Sequence, residues 1–200
     1  MEAGTSGAIQ GRLLQILEAV GARDGLVYLC VPITSGLREL GLMSELGVSS
    51  RELRTDRREL WQQKVLAENV REAHRLSNAV RSRRIGRLVI DPSFLEIPEW
   101  TQEDYRLFWI DLIGRFASAL VACPDWEFSQ GARGEVGYAL SRSIPVLDFE
   151  DQSIDWQAAR ELDERARAQI IEMGISPDEL NLYLPPISPP ESAGVAESSG

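Results

Sequence analysis

The segment 124–136, PDWEFSQGARGEV, has several small residues followed by a carboxylate. This order suits a helix N-terminus that binds a ligand. Ser129, Gly131 and Ala132 are small enough to let backbone approach a ligand, and a helix that begins near them offers unpaired N–H groups to an anion. Glu135 follows one helical turn further in. Position alone favours a plainer role for Glu135, in which the acid complements the helix dipole.

Asp111 is a second candidate acid, because it lies within the apolar segment WIDLIGRF. Acids in such surroundings are usually paired or functional. One acid on a helix face is weak evidence by itself, so both acids need a framework that brings them together.

Short apolar runs alternate with longer helical patterns along the chain, which is typical of βαβ units. The sequence therefore predicts an α/β fold, with a flavodoxin- or Rossmann-like open parallel sheet of four or five strands, helices on both faces and an N-terminal helix. The predicted strands are Leu26–Val31, Arg87–Asp91, Ala119–Cys123 and Ile144–Phe149, and the predicted helices cover 51–83, 102–116, 131–142 and 154–173.

The chain divides into three parts. Residues 1–24 have the pattern of an amphipathic helix, and 25–183 are long enough for one α/β domain with a single core. Residues 184–200 have too few large apolar groups to offset the entropy of ordering, which predicts a disordered tail. The stretch 37–65 is an insertion, for which a lid, an interface and a disordered loop are all open.

Charge and composition limit the partners. The formal net charge of −10 argues against polymeric nucleic acid, whose binding requires clustered cations. No run approaches the roughly 18 apolar residues of a membrane span. Cys30 and Cys123 lie in apolar runs without metal-ligand spacing, so the sequence predicts no metal, no cofactor, no disulfide and a cytoplasmic location.

Ligands of an open parallel sheet bind beyond the carboxyl ends of the strands, where helix N-termini point their amides into the crevice. Three segments follow predicted strands in this way: PITSG (32–36), DPSFLEIPEW (91–100) and PDWEFSQGARGE (124–135). We expect a ligand site at these strand ends.

Three blocks of the sequence together resemble the nucleoside 2-deoxyribosyltransferase-like superfamily, which includes 2′-deoxynucleoside 5′-monophosphate N-glycosidases. The blocks are VYLCVPITSG, FWIDLIGRFASALVAC and SQGARGEVGYALSRSIPVL, and the run W-E-x-S-x-G-A-R-x-E is their most specific part. The interval of 24 residues between Asp111 and Glu135 suits the hydrolase-like branch. The resemblance spans about residues 26–150.

The resemblance implies a role for each acid. Glu135 would attack the anomeric carbon of a (deoxy)ribosyl unit and displace the base, and Tyr28 would orient Glu135. Asp111 would position a sugar hydroxyl or handle protons at the leaving base. Ser129 would hold a 5′-phosphate, because deoxyribosyltransferases of unphosphorylated nucleosides tend to have an acid at that place.

Five further residues are candidate substrate contacts. Trp126 could stack on a base and Arg133 could pair with phosphate, although packing and solvent exposure are the commoner roles of such residues. The full set is Ile33, Ser35, Trp126, Gly131 and Arg133.

Three functions stay open at this point. The first is hydrolysis of a nucleoside 5′-monophosphate to free base, and the second is transfer of the sugar to another base. The third is a nucleotide-binding sensor that kept the fold without turnover, since fold alone does not fix function. The resemblance also implies a homodimer or a higher homo-oligomer.

Overall fold

The predicted apolar runs form one parallel sheet in the computed structural model, which describes residues 3–22, 25–83 and 87–187. The strands are β1 (Leu26–Cys30), β2 (Val89–Ile90), β3 (Ala117–Ala122) and β4 (Val146–Asp148). Their spatial order is β2-β1-β3-β4, and all three pairings are parallel. The prediction of an α/β fold with an open parallel sheet is confirmed, with four strands in the described residues.

Helices connect and flank these strands. The bounds are α1 (Ala3–Ala19), α2 (Leu37–Leu46), α3 (Ser50–Thr55), α4 (Arg58–Trp61), α5 (Ala67–Arg83), α6 (Gln102–Phe116), α7 (Gln130–Ser141), α8 (Trp156–Glu172) and α9 (Pro177–Tyr183). None of the helices in the described part of the chain is both long and apolar enough to cross a bilayer.

Alternate side chains of β1 point to opposite faces of the sheet, as the period of a strand requires. Val27 and Leu29 pack against α5 in one buried cluster. Tyr28 and Cys30 pack in another with residues of α1, α6 and α7. Both faces are therefore covered, which explains why β1 is apolar along its whole length.

The single helix predicted over 51–83 is wrong, because the structure divides this stretch. A capping box of Ser49 and Glu52 starts α3, and a π-helical turn at Gln62–Leu66 separates α4 from α5. The physical reason is that the two ends of the stretch serve different cores. Leu53 packs away from the sheet, whereas α5 packs on the sheet.

A third cluster of buried side chains joins the insertion to the C-terminal region. It combines residues of α2, α3, α8 and α9 with Phe128 and Leu184. The stretch 37–65 is therefore packed helical structure rather than a disordered loop. Leu184 is fully buried, so the boundary predicted at 184 is too early. Residues 188–200 of the predicted tail lie outside the described residues.

Candidate functional site

The topological switch point of the sheet lies between β1 and β3. The chain passes from β1 to β2 on one side and then returns to β3 on the other, so the loops after β1 and β3 diverge around a crevice. Ser35 and Ser129 come from these two loops, and their hydroxyls lie 2.9 Å apart. Both serines are buried. The structure thus brings two predicted site residues together at the expected edge of the sheet.

Two helices begin at this serine pair. Ser129 is the N-cap of α7, where its hydroxyl accepts a hydrogen bond from the amide of Ala132. Gly36, next to Ser35, is the N-cap of α2 and provides no side-chain cap. Gly131 in the first turn of α7 is exposed, and a Cβ there would meet no atom within 4 Å. The positive ends of both helix dipoles therefore favour an anion near the serines.

Tyr28 and Glu135 meet beneath this edge of the sheet. The Tyr28 hydroxyl donates a hydrogen bond of 2.8 Å to Oε1 of Glu135. Tyr28 is fully buried in β1, and Glu135 on α7 is partly exposed. Cys30, two residues along β1 on the same face, donates its thiol to the carbonyl of Ala132 at 3.3 Å.

Burial controls the protonation of this group. Desolvation raises the pKa of Glu135 to about 7, and the hydrogen bond from Tyr28 acts against that rise. Burial, and next the charge of Glu135, raise the pKa of Tyr28 and of Cys30 well above their ordinary values. Both partners therefore stay protonated donors while Glu135 titrates near neutral pH.

Asp111 is bonded to a residue other than Tyr28 and Glu135. Its Oδ1 accepts a hydrogen bond of 2.6 Å from Nε of Arg115 one turn along α6, and both side chains are substantially exposed. Among the described residues, Asp111 hydrogen-bonds neither Tyr28 nor Glu135. Its neighbour Trp109 is the α6 residue that packs on Tyr28, with ring centroids 5.9 Å apart.

Trp126 and Arg133 do not face the crevice, so their expected ligand contacts are corrected. Trp126 is only 3% exposed and belongs to the core with α7. Arg133 is 4% exposed and forms an ion pair of 2.6 Å with Asp163 of α8. Its guanidinium also donates to the carbonyl of Pro185. The sequence pattern alone does not reveal that Arg133 lies on the inward-facing side of α7.

The loop after β1, residues 32–36, is held by polar side chains that the sequence pattern did not single out. Nδ2 of Asn69 donates to the carbonyls of Ile33 and Ser35, at 2.9 and 3.0 Å. Arg54 donates to the carbonyl of Thr34 at 2.9 Å. The sequence signal that could have identified such a residue is a polar side chain at an inward-facing position of a helix. Asn69 on α5 has this pattern.

No group of three or more His, Cys, Asp or Glu side chains in the described ranges could hold a metal ion. A cleft of about 60 Å³ opens at the same strand ends on the α5 side, between the loops after β1 and β3. Its lining includes Pro32, Asn69, Glu72 and Asp125, and it leaves Glu135 on the other face of the sheet. The cleft and the Tyr28–Glu135 pair are separate features.

Fold and site together define an open α/β protein with the strand order 2-1-3-4, a serine pair at its switch point and a buried phenol–carboxylate contact below it. Comparison of the chain with models of protein families, with characterised proteins and with solved structures finds no significant match.

Proposed function

We propose that the protein cleaves the N-glycosidic bond of a (deoxy)nucleoside 5′-monophosphate, with Glu135 as the nucleophile. The observation that carries the proposal is the 2.8 Å hydrogen bond between Tyr28 and Glu135, near the edge of the sheet where ligands of open parallel sheets bind. The resemblance of three sequence blocks to the nucleoside 2-deoxyribosyltransferase-like superfamily supports the same assignment.

The reaction proceeds in two displacements. Glu135 forms a bond to the anomeric carbon, and the base leaves with the electron pair of the glycosidic bond and takes up a proton. Water then attacks the anomeric carbon, loses a proton and releases the Glu135 carboxylate and the sugar phosphate. A charged carboxylate is costly in this buried position, so conversion to a neutral ester relieves that cost.

The serine pair supports a phosphorylated substrate. Ser35 and Ser129 offer two hydroxyls beside the N-termini of α2 and α7, a combination that suits a 5′-phosphate. Gly131 leaves room for the approach of that group. Ile33, partly buried in the same loop, would border the sugar or base.

A second candidate is a nucleotide-binding sensor without turnover, because Asp111 is paired with Arg115 rather than with Tyr28 or Glu135. The enzyme assignment instead requires a bound ligand to release Asp111, which costs little because an exposed pair of this kind is worth only about 0.5 kcal/mol. In the enzyme, Asp111 would then act on a sugar hydroxyl or on the leaving base. Tight binding of a nucleotide that stays intact after long incubation would favour the sensor.

A homodimer in the cytoplasm completes the proposal. Ile16 on α1 and Val20 just after it are 58% and 67% exposed and could form part of a contact between copies. Sedimentation as a monomer at micromolar concentration would exclude the dimer. Both cysteines are buried free thiols, which suits a reducing compartment.

The test is incubation of the protein with ribo- and deoxyribonucleoside 5′-monophosphates and the matching nucleosides, with and without an acceptor base. Chromatography should detect free base from at least one monophosphate, and exchange of bases would indicate transfer instead. Glu135→Ala should lower the rate about a thousandfold or more without change in circular dichroism. Glu161→Ala is the control, because Glu161 is an exposed acid of α8 and lies outside the three ligand segments. Absence of free base from every substrate, alone or with an acceptor, would overturn the enzyme assignment.

A further inference from the structure

Side chains from outside the loop hold the backbone of every residue from Ile33 to Gly36. The side chain of Asn69 donates hydrogen bonds to the carbonyls of Ile33 and Ser35, and that of Arg54 donates to the carbonyl of Thr34. The amide of Gly36 donates to the hydroxyl of Tyr183, at 3.2 Å. Loops at a sheet edge are usually the mobile part of such folds, so this degree of restraint is unusual for a surface loop.

Glu39 is the centre of the same network. Its side chain is fully buried, and its two oxygens accept hydrogen bonds from Arg54 at 2.6 and 2.8 Å. Ser50 and Tyr183 add further donors, at 3.0 and 2.5 Å. A buried carboxylate with a full set of donors fixes the geometry of all its partners, because each lost contact leaves charge unpaired.

Tyr183 reaches this network from α9, far along the chain from the loop. The segment that follows Tyr183 also contacts α7, since the carbonyl of Pro185 accepts a hydrogen bond of 2.7 Å from Arg133. Residues 183–185 thus bond to an element on each side of the crevice between the two ligand loops. This segment lies beyond the part of the chain that carries the family resemblance.

We propose that Tyr183, together with Glu39 and Arg54, is a positioning residue that holds loop 32–36 in the shape that receives the ligand. This inference rests on the proposed function of the site. The Tyr183 hydroxyl fixes Gly36, whose φ of 110° belongs to a region that few residues other than glycine adopt. Gly36 in turn fixes Ser35, whose hydroxyl lies against Ser129.

The network acts on binding rather than on the chemical step. Tyr28 and Glu135 belong to β1 and α7, so their 2.8 Å contact does not depend on the loop. Loss of the Tyr183 hydroxyl should let the loop shift while the nucleophile stays in place. Binding of the phosphate should weaken, and the turnover of bound substrate should change little.

The experiment compares Tyr183→Phe with Tyr105→Phe in the full chain. Tyr105 is the matched control for amide exchange across 33–36, because its hydroxyl bonds the amide and carbonyl of Ile97 in the loop after β2 and not the loop after β1. We expect Tyr183→Phe to raise KM for a nucleoside monophosphate about tenfold with kcat within about twofold. Amide exchange across 33–36 should become faster in this variant and remain unchanged in Tyr105→Phe. Arg54→Lys, which loses the paired contact with Glu39, should shift both readouts in the same direction.

Two results would overturn the inference. Unchanged exchange across 33–36 in Tyr183→Phe would show that the hydroxyl does not hold the loop, and equal acceleration of that exchange in both tyrosine variants would indicate general destabilisation. The exchange measurement needs no substrate. If no nucleotide is cleaved or bound by the wild-type protein, the proposed function fails while exchange still decides whether Tyr183 holds the loop.

Discussion

Glu135 is an acid whose charged form the fold disfavours. Burial raises its pKa from an ordinary value of 4.5 to about 7, despite the hydrogen bond from Tyr28 that favours the charge. The folded state therefore binds more protons than the unfolded state between these two pKa values. The contribution of Glu135 to stability falls as pH rises through that window, and the cost is fully present above about pH 7.

Replacement of Glu135 by Gln should therefore stabilise the fold at alkaline pH. Gln keeps an oxygen that can accept from Tyr28 and removes the titrating charge. We expect a gain of about 2 kcal/mol at pH 8, less than the full pKa rise implies because Glu135 retains some contact with water, and little gain at pH 4.5. Urea denaturation at both pH values measures the difference. A loss of stability at pH 8 would mean that the carboxylate is a structural group.

Sequence reasoning identified this contact better than it identified the surrounding side chains. Tyr28 and Glu135 were named together because a family resemblance links them, and the structure places them within hydrogen-bond distance. The same resemblance could not show that Arg133, two residues earlier, turns towards Asp163. Rotation around a helix depends on the packing of distant segments, and α8 lies about thirty residues further along the chain.

At the scale of elements, the N-terminus of α7 combines a structural and a chemical task in one residue. Ser129 caps the helix through the amide of Ala132 and contacts Ser35 across the crevice. The strand and helix pattern predicted α6 and α7 to within one residue, because caps and apolar periodicity are local signals. The break between α3 and α5 was not predictable in this way, because it follows from the separate core that Leu53 joins.

Two substitutions at Ser129 should separate its tasks. Ser129→Ala removes the cap and should cost about 1 kcal/mol of stability, together with weaker monophosphate binding. Ser129→Asp keeps a side chain that can accept from the α7 amides and from Ser35, so it should cost no more stability than Ser129→Ala, although its carboxylate enters a buried position. Its charge should repel phosphate and weaken monophosphate binding at least about tenfold, while nucleoside binding is unchanged. Calorimetric titration with a matched monophosphate and nucleoside measures these affinities. If Ser129→Asp bound the monophosphate as tightly as the wild-type protein does, the phosphate would not bind beside residue 129.

At the scale of the whole molecule, the C-terminal region is part of the domain and not an appendage. Leu180 and Leu184 are fully buried in the third cluster with residues of the insertion. The buried pair of Arg133 and Asp163 ties α7 to α8, and Pro185 extends this link to the end of the described chain. The sequence could not predict this arrangement, because every contact in it joins segments far apart along the chain.

Asp163→Asn tests how far the fold depends on that link. Burial lowers the pKa of Arg133, while the charge of Asp163 raises it, so the buried guanidinium depends on Asp163 for compensation. Neutral Asn would leave a buried cation unpaired, and we expect a loss of about 3–5 kcal/mol in urea denaturation. The exposed pair of Glu103 and Arg106 is the matched control, where Glu103→Gln should leave the free energy of unfolding nearly unchanged. Similar small losses in both variants would mean that water reaches Arg133, and α7 would then be anchored by its apolar contacts alone.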